Sequence, residues 1–184
     1  MTRTVYFTAS DRVTIGKAAS LAERLTVGYF DLAQDEWKRN PYGIFTRQDV
    51  GSSLYESDVF ANVVRLKSNR PASGAQGPKE RYGVLLQDPN ILLALLRSPH
   101  NDLWTLGLFI LTHELVHIVR FRRFNVDFFA DVGGRDQEEK LVQGVTRKIL
   151  SGVTNTDHVL DLYDREVSLA QSLSSIHSVL QGGK

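Results

Sequence analysis

The stretch LWTLGLFILTHELVHIV, residues 103–119, decides the fold. Its side chains are almost all apolar apart from the motif His113-Glu114-Leu115-Val116-His117. A helix that is apolar on every side is typical of a buried core helix. We therefore predict a helix that starts near Asn101 and runs through the centre of the core.

The spacing of His113 and His117 suits a metal. Residues i and i+4 lie on one face of an α-helix, one turn apart, so both imidazoles can reach a single zinc ion. Glu114 lies about 100° round the helix from His113, where it can accept a proton from a water molecule that the metal activates. We predict His113 and His117 as ligands and Glu114 as general base. Alternatively, the three residues are part of the core, with His113 and His117 hydrogen-bonded to backbone carbonyls and Glu114 paired with an arginine.

Length and composition are those of one globular domain. The 184 residues suffice for a sizeable core, so we predict a single domain over 1–184, with a catalytic core of about 82–150 and C-terminal helices over 156–180. The net charge of +1 favours neither nucleic acid nor an anionic membrane as partner. The chain has no cysteine, which excludes disulfides, thiolate metal ligands and a thiol nucleophile.

The ends of the chain and its apolar runs favour a cytoplasmic protein. The first residues lack the apolar segment that a signal peptide needs. The longest apolar stretch, 103–111, is too short to span a bilayer. We therefore expect a cytoplasmic protein without a membrane partner.

Patterns elsewhere predict an α+β fold, mainly helical with a small antiparallel sheet. Strand-like patterns cover 4–9 and 81–86, and residues 68–79 have the composition of an exposed loop. Residues 53–67 fit either a helix or a helix followed by a strand. Residues Ser10-Asp11 have the character of a helix start, and helical patterns then cover 17–37, 90–97 after a cap at Asp88, 136–150 and 157–180.

A catalytic zinc needs a third protein ligand, and the helix predicted over 136–150 offers one. Glu138 lies at the centre of its apolar stripe, where a carboxylate needs a cation, and we predict it as the ligand. Glu139 lies about 100° away and completes a capping box with Asp136. Pairing of Glu138 with Arg120 or Arg147 remains an alternative. The stripe comprises Leu141, Val142, Val145 and Ile149.

This constellation resembles the zincin metallopeptidases, specifically the gluzincin pattern of HExxH followed by a glutamate on a second helix. The resemblance covers about 103–150. It implies a zincin-like fold, Zn²⁺ as cofactor, a peptide or protein as substrate, His113, His117 and Glu138 as ligands, and Glu114 as general base. Zincins also align their substrate with an edge strand, and residues 82–86 are our candidate for it.

The chain also departs from the zincin patterns. Val142 stands where gluzincins often carry an aspartate, so a carboxylate that supports a ligand must come from elsewhere, such as Asp127 or Asp131. Metzincins carry a glycine and a third histidine where this chain has Arg120 and Arg123. Asp131 leaves an aspartate ligand, as in the aspzincins, open. The donor to the oxyanion is also open, among Tyr82, Arg120, His158 and Tyr163.

Together these features predict a zinc-dependent hydrolase, most simply a peptidase. The alternative is a non-catalytic zincin-like binding or regulatory module with a structural or vestigial metal site. A third reading, nucleic-acid binding through Arg120, Arg122 and Arg123, has little support, because cations at a helix C-terminus also complement the helix dipole. The oligomeric state cannot be read from the sequence.

Overall fold

The computed structural model describes residues 4–51, 59–66, 81–124 and 132–153. These residues form a mainly helical α+β structure with a small sheet, which confirms the α+β part of the predicted fold class. The elements in chain order are α1 (Ala9–Tyr29), α2 (Glu36–Arg39), β1 (Gly43–Thr46), α3 (Arg47–Val50), β2 (Ala61–Leu66), β3 (Arg81–Leu86), α4 (Asp88–Arg97), α5 (Leu103–Arg123) and α6 (Val132–Leu150).

Three strands form one mixed sheet in the order β1-β3-β2. β3 pairs in parallel with β1 and antiparallel with β2. The prediction of an antiparallel sheet is therefore wrong for one of the two pairings. The prediction that 82–86 form an edge is also wrong, because β3 is the central strand. The residues from Tyr82 to Leu86 are all buried. Such continuous burial is typical of a central strand that is covered on both faces.

α5 is the central helix of the described structure. It contacts α1, α4, α6, β2 and β3. It begins at Leu103, where the side chain of Asp102 accepts a hydrogen bond from the backbone N–H of Thr105 at 2.9 Å. Length and hydropathy alone would also allow α5 to cross a membrane, but 78% of its most apolar window is buried within the protein. The prediction of a buried core helix is confirmed.

α1 packs closely along α5 because small residues line the contact. Ala18 and Ala22 of α1 are fully buried, and Gly107 of α5 leaves room for the side chain of Ile15. A Cβ atom on Gly107 would lie only 2.7 Å from Cδ1 of Ile15. This close approach fixes one side of the helix that carries the histidines.

The N-terminal region differs from its prediction. Residues 4–8 form no strand. α1 begins at Ala9, next to the helix start expected at Ser10-Asp11, with a capping box formed by Thr8 and Asp11. The helix also ends before residue 37, at Tyr29. Asp88 does not cap α4. Its carboxylate instead accepts hydrogen bonds from the backbone N–H groups of Phe7 at 3.1 Å and Arg47 at 3.0 Å, which ties three segments together.

Several predictions lie outside the described residues. They are the loop over 68–79, the residues 53–58 of the segment 53–67, and the helices over 157–180. The strand alternative for the end of 53–67 is confirmed, because β2 covers Ala61–Leu66.

Candidate metal centre

The two motif histidines lie together on one face of α5, as their spacing predicts. Nε2 of His113 lies 3.2 Å from Nε2 of His117, and the ring centroids are 4.9 Å apart. His113 is buried, whereas His117 is partly exposed. The pair of imidazoles therefore extends from the core towards the surface of the protein.

Aromatic rings continue this face of α5 on both sides of the histidines. Phe109 lies one turn before His113, with ring centroids 6.4 Å apart. Phe121 lies one turn after His117 and stacks on it, at 5.7 Å and 18° between the ring planes. Four rings thus follow one another at i, i+4 spacing and restrict the orientation of the imidazoles. The pattern FxxxHxxxHxxxF is visible in the sequence, although our sequence analysis did not use it.

Glu139 of α6 supplies the carboxylate that meets the two imidazoles. Its Oε1 lies 2.9 Å from Nε2 of His113, and its Oε2 lies 3.2 Å from Nε2 of His117. The side chain of Glu139 is 34% exposed. The site therefore combines one buried imidazole with two partly exposed ligand groups.

Glu138, the predicted ligand, lies elsewhere. Its carboxylate accepts hydrogen bonds from Nε of Arg120 at 2.6 Å and from Nη2 of Arg120 at 2.8 Å. The periodicity correctly indicated that Glu138 is the more buried glutamate, but the cation that compensates it is an arginine. The capping role expected for Glu139 is absent, because α6 begins at Val132 and Asp136 lies within the helix.

The difference has a physical reason. We placed the ligand at the centre of the buried stripe, where a carboxylate most needs a cation. The open position of a catalytic metal must be accessible to water, so the metal itself lies near the point where the core meets solvent. Glu139 is at such a position, one residue and about 100° round the helix from Glu138.

The donor atoms of His113, His117 and Glu139 fit a single metal ion. Their separations of 2.9–3.2 Å compare with about 3.3 Å between the ligand atoms of a tetrahedral zinc site with bonds of about 2.0–2.1 Å. All three groups offer atoms that lie within 4.8 Å of one another. This group of residues could hold a metal ion.

Burial and charge shift the ionisation of the site in distinct ways. Burial raises the pKa of Glu114, against the opposing effect of the two imidazoles. Burial alone would lower the pKa of His113, but the hydrogen bond and charge of Glu139, with the charge of Glu114, raise it. Burial would raise the pKa of Glu139, but its hydrogen bonds to His113 and His117 lower it below its usual range.

The other described residues considered in the sequence analysis, as oxyanion donors, ligands or nucleic-acid contacts, lie outside the group formed by His113, His117 and Glu139. Tyr82 is only 2% exposed and packs against Phe121 and below the guanidinium of Arg122. Nη1 of Arg122 donates to the carbonyl of Asn40 at 2.9 Å. Arg123 lies 3.5 Å from Glu36. Asp127, Asp131, His158 and Tyr163 lie outside the described residues.

Comparisons with models of protein families, with curated proteins and with solved structures found no match.

Proposed function

We propose that this protein is a zinc-dependent hydrolase of peptide bonds, with a zincin-like active site formed by α5 and α6. The observation that carries the proposal is the convergence of His113, His117 and Glu139 beside the buried carboxylate of Glu114. Zinc bound by two imidazoles and a carboxylate lowers the pKa of water and polarises a carbonyl group.

The position of Glu114 supports its role as a general base. Its carboxylate is 6% exposed and close enough to His113, His117 and Glu139 for their charges to affect it. A raised pKa brings a carboxylate nearer to the operating pH, which favours proton transfer. Glu114 would accept a proton from the attacking water as the water oxygen bonds to the carbonyl carbon. It would then deliver that proton to the nitrogen of the leaving amine as the C–N bond breaks.

The mixed sheet supports a peptide as substrate. β2 is the antiparallel edge strand of the described sheet, and it contacts α5. An extended peptide binds to a sheet edge through its own backbone hydrogen bonds. We therefore assign to β2 the substrate-aligning role that the sequence analysis gave to 82–86.

Digestion of a peptide library, with products identified by mass spectrometry, tests the proposal. We expect cleavage by the purified protein, its loss after treatment with a chelator, and its return on addition of zinc. Cleavage that persists in chelator would assign the activity to another site or a contaminant. Zinc binding without cleavage of any peptide would favour the binding-module alternative.

A further inference from the structure

Arg120 and Glu138 form a bidentate ion pair next to the candidate metal ligands. Both N···O distances are short, at 2.6 and 2.8 Å, and the side chains are 15% and 13% exposed. A guanidinium that meets a carboxylate through two parallel hydrogen bonds restricts both position and orientation. The pair therefore holds α5 and α6 in a defined register.

The two members of the pair are close in sequence to the ligands on both helices. Arg120 follows His117 by three residues on α5 and lies on the same face. Glu138 directly precedes Glu139 on α6. A change in the distance or rotation between the helices at Arg120 and Glu138 would therefore also move Glu139 relative to the imidazoles.

Apolar packing cannot fix this part of α6 by itself. From 134 to 141 no side chain is fully buried, and the first buried residue after Glu139 is Val142. Thr146, Ile149 and Leu150 continue the buried side toward the C-terminus. The segment that carries Glu139 thus lies before the apolar contact, and the Arg120–Glu138 pair joins it to α5 in addition to the contacts of Glu139.

The pair also separates the roles of two adjacent carboxylates. Arg120 is engaged with both oxygens of Glu138, so the oxygens of Glu139 remain directed at the imidazoles. Without Arg120, the site would contain the carboxylates of Glu114, Glu138 and Glu139 with one cation fewer. Arg120 thus affects both the register of α5 and α6 and the charge of the site.

We propose that Arg120 is a positioning residue of the metal site, which holds α6 through Glu138 so that Glu139 can act as the third ligand. The inference rests on one part of the proposed function, the binding of zinc by this site, and not on hydrolysis. It does not require that Arg120 contact the metal or a substrate.

Zinc affinity, measured by competition with a chromophoric chelator, tests the inference. We expect Arg120→Gln and Glu138→Gln each to raise the Kd for zinc by about 10–100-fold, the usual effect of losing a residue that supports a ligand. The double variant should bind zinc about as weakly as either single variant, because the two residues act as one unit. In the cobalt-loaded protein, the same variants should lose intensity in the visible absorption of tetrahedral Co²⁺.

A second ion pair provides the matched control. Arg12 binds Asp49 through two hydrogen bonds, Nη1 to Oδ2 at 3.2 Å and Nη2 to Oδ1 at 3.1 Å, between α1 and α3. Arg12→Gln should leave the Kd for zinc unchanged within about threefold. A zinc defect common to all arginine variants would reflect general loss of stability and overturn the inference.

Other outcomes are equally decisive. If Arg120→Gln does not fold because an unpaired buried charge remains, the double variant carries the test, since it leaves no unpaired charge. Wild-type zinc affinity in the double variant would overturn the inference while leaving the proposed function intact. Failure of the wild-type protein to bind zinc would overturn both. Zinc binding with the expected defects, but without hydrolysis, would support this inference and contradict the proposed function.

Discussion

Oε1 of Glu139 lies 2.9 Å from Nε2 of His113, although the two residues belong to different helices and are 26 positions apart. This contact closes a three-residue site that α5 alone cannot complete. It makes the packing of α6 on α5 a condition for metal binding.

Removal of the third ligand should abolish tight zinc binding. We expect Glu139→Ala to raise the Kd for zinc by more than about 100-fold, because residues that only support ligands already contribute up to about that factor. Gln137→Ala is the matched control, since Gln137 is an exposed residue of the same helix. Equal zinc affinity in the two variants, measured by titration, would show that Glu139 is not a ligand.

Removal of the general base should separate binding from chemistry. Glu114→Gln preserves the shape of the side chain but cannot accept the proton. We expect zinc content to stay the same and kcat for peptide cleavage to fall by about 10²–10⁴-fold. A variant that keeps zinc and retains wild-type kcat would refute the mechanism.

The metal-free protein should become less stable as the pH rises. The pKa of His113 is raised, so its stabilising contribution is complete below about 6.5 and is lost as pH rises through the pKa of the folded state. The raised pKa of Glu114 acts in the same direction from about 4.5 upward. In the presence of chelator, we expect the Tm of the wild-type protein to fall between pH 5.5 and 8.5. The fall should be larger than that of His113→Ala over the same range. A Tm that rises over this range would contradict the assignment.

The close contact between α1 and α5 should be sensitive to volume. Gly107→Val inserts a branched side chain against Ile15, and we expect a loss of about 1–3 kcal/mol in the free energy of unfolding. Gly16 of α1 provides the control, because an added Cβ meets no atom within 4 Å there. Chemical denaturation should show little or no destabilisation for Gly16→Val. Equal losses at both glycines would argue against the packing described.

The helices that carry the site, and the burial of their residues, were largely predictable from local sequence patterns. The apolar run and its i, i+4 histidines predicted α5, its burial and the pairing of His113 with His117. The periodicity around Glu138 also predicted correctly which glutamate of α6 is more buried. These properties depend on helix geometry and side-chain polarity alone.

Properties that depend on contacts between distant segments were not predictable in the same way. The choice between Glu138 and Glu139 depends on where Arg120 reaches across from α5. The pairing of Glu138 with Arg120, named among the alternatives, is confirmed, but no spacing within α6 decides in its favour. The central position of β3 likewise depends on a parallel partner whose residues lie 40 positions earlier in the chain. The start of α6 was misjudged because Asp136 and Glu139 have the spacing of a capping box within a helix that starts earlier.

The metal content of the purified protein tests the central claim most directly. Elemental analysis of protein prepared without chelator should find about one zinc per chain, and His117→Ala, purified in the same way, should have lost it. Absence of metal from the wild-type protein, even after incubation with zinc, would contradict the account and leave His113, His117 and Glu139 as a hydrogen-bonded polar cluster.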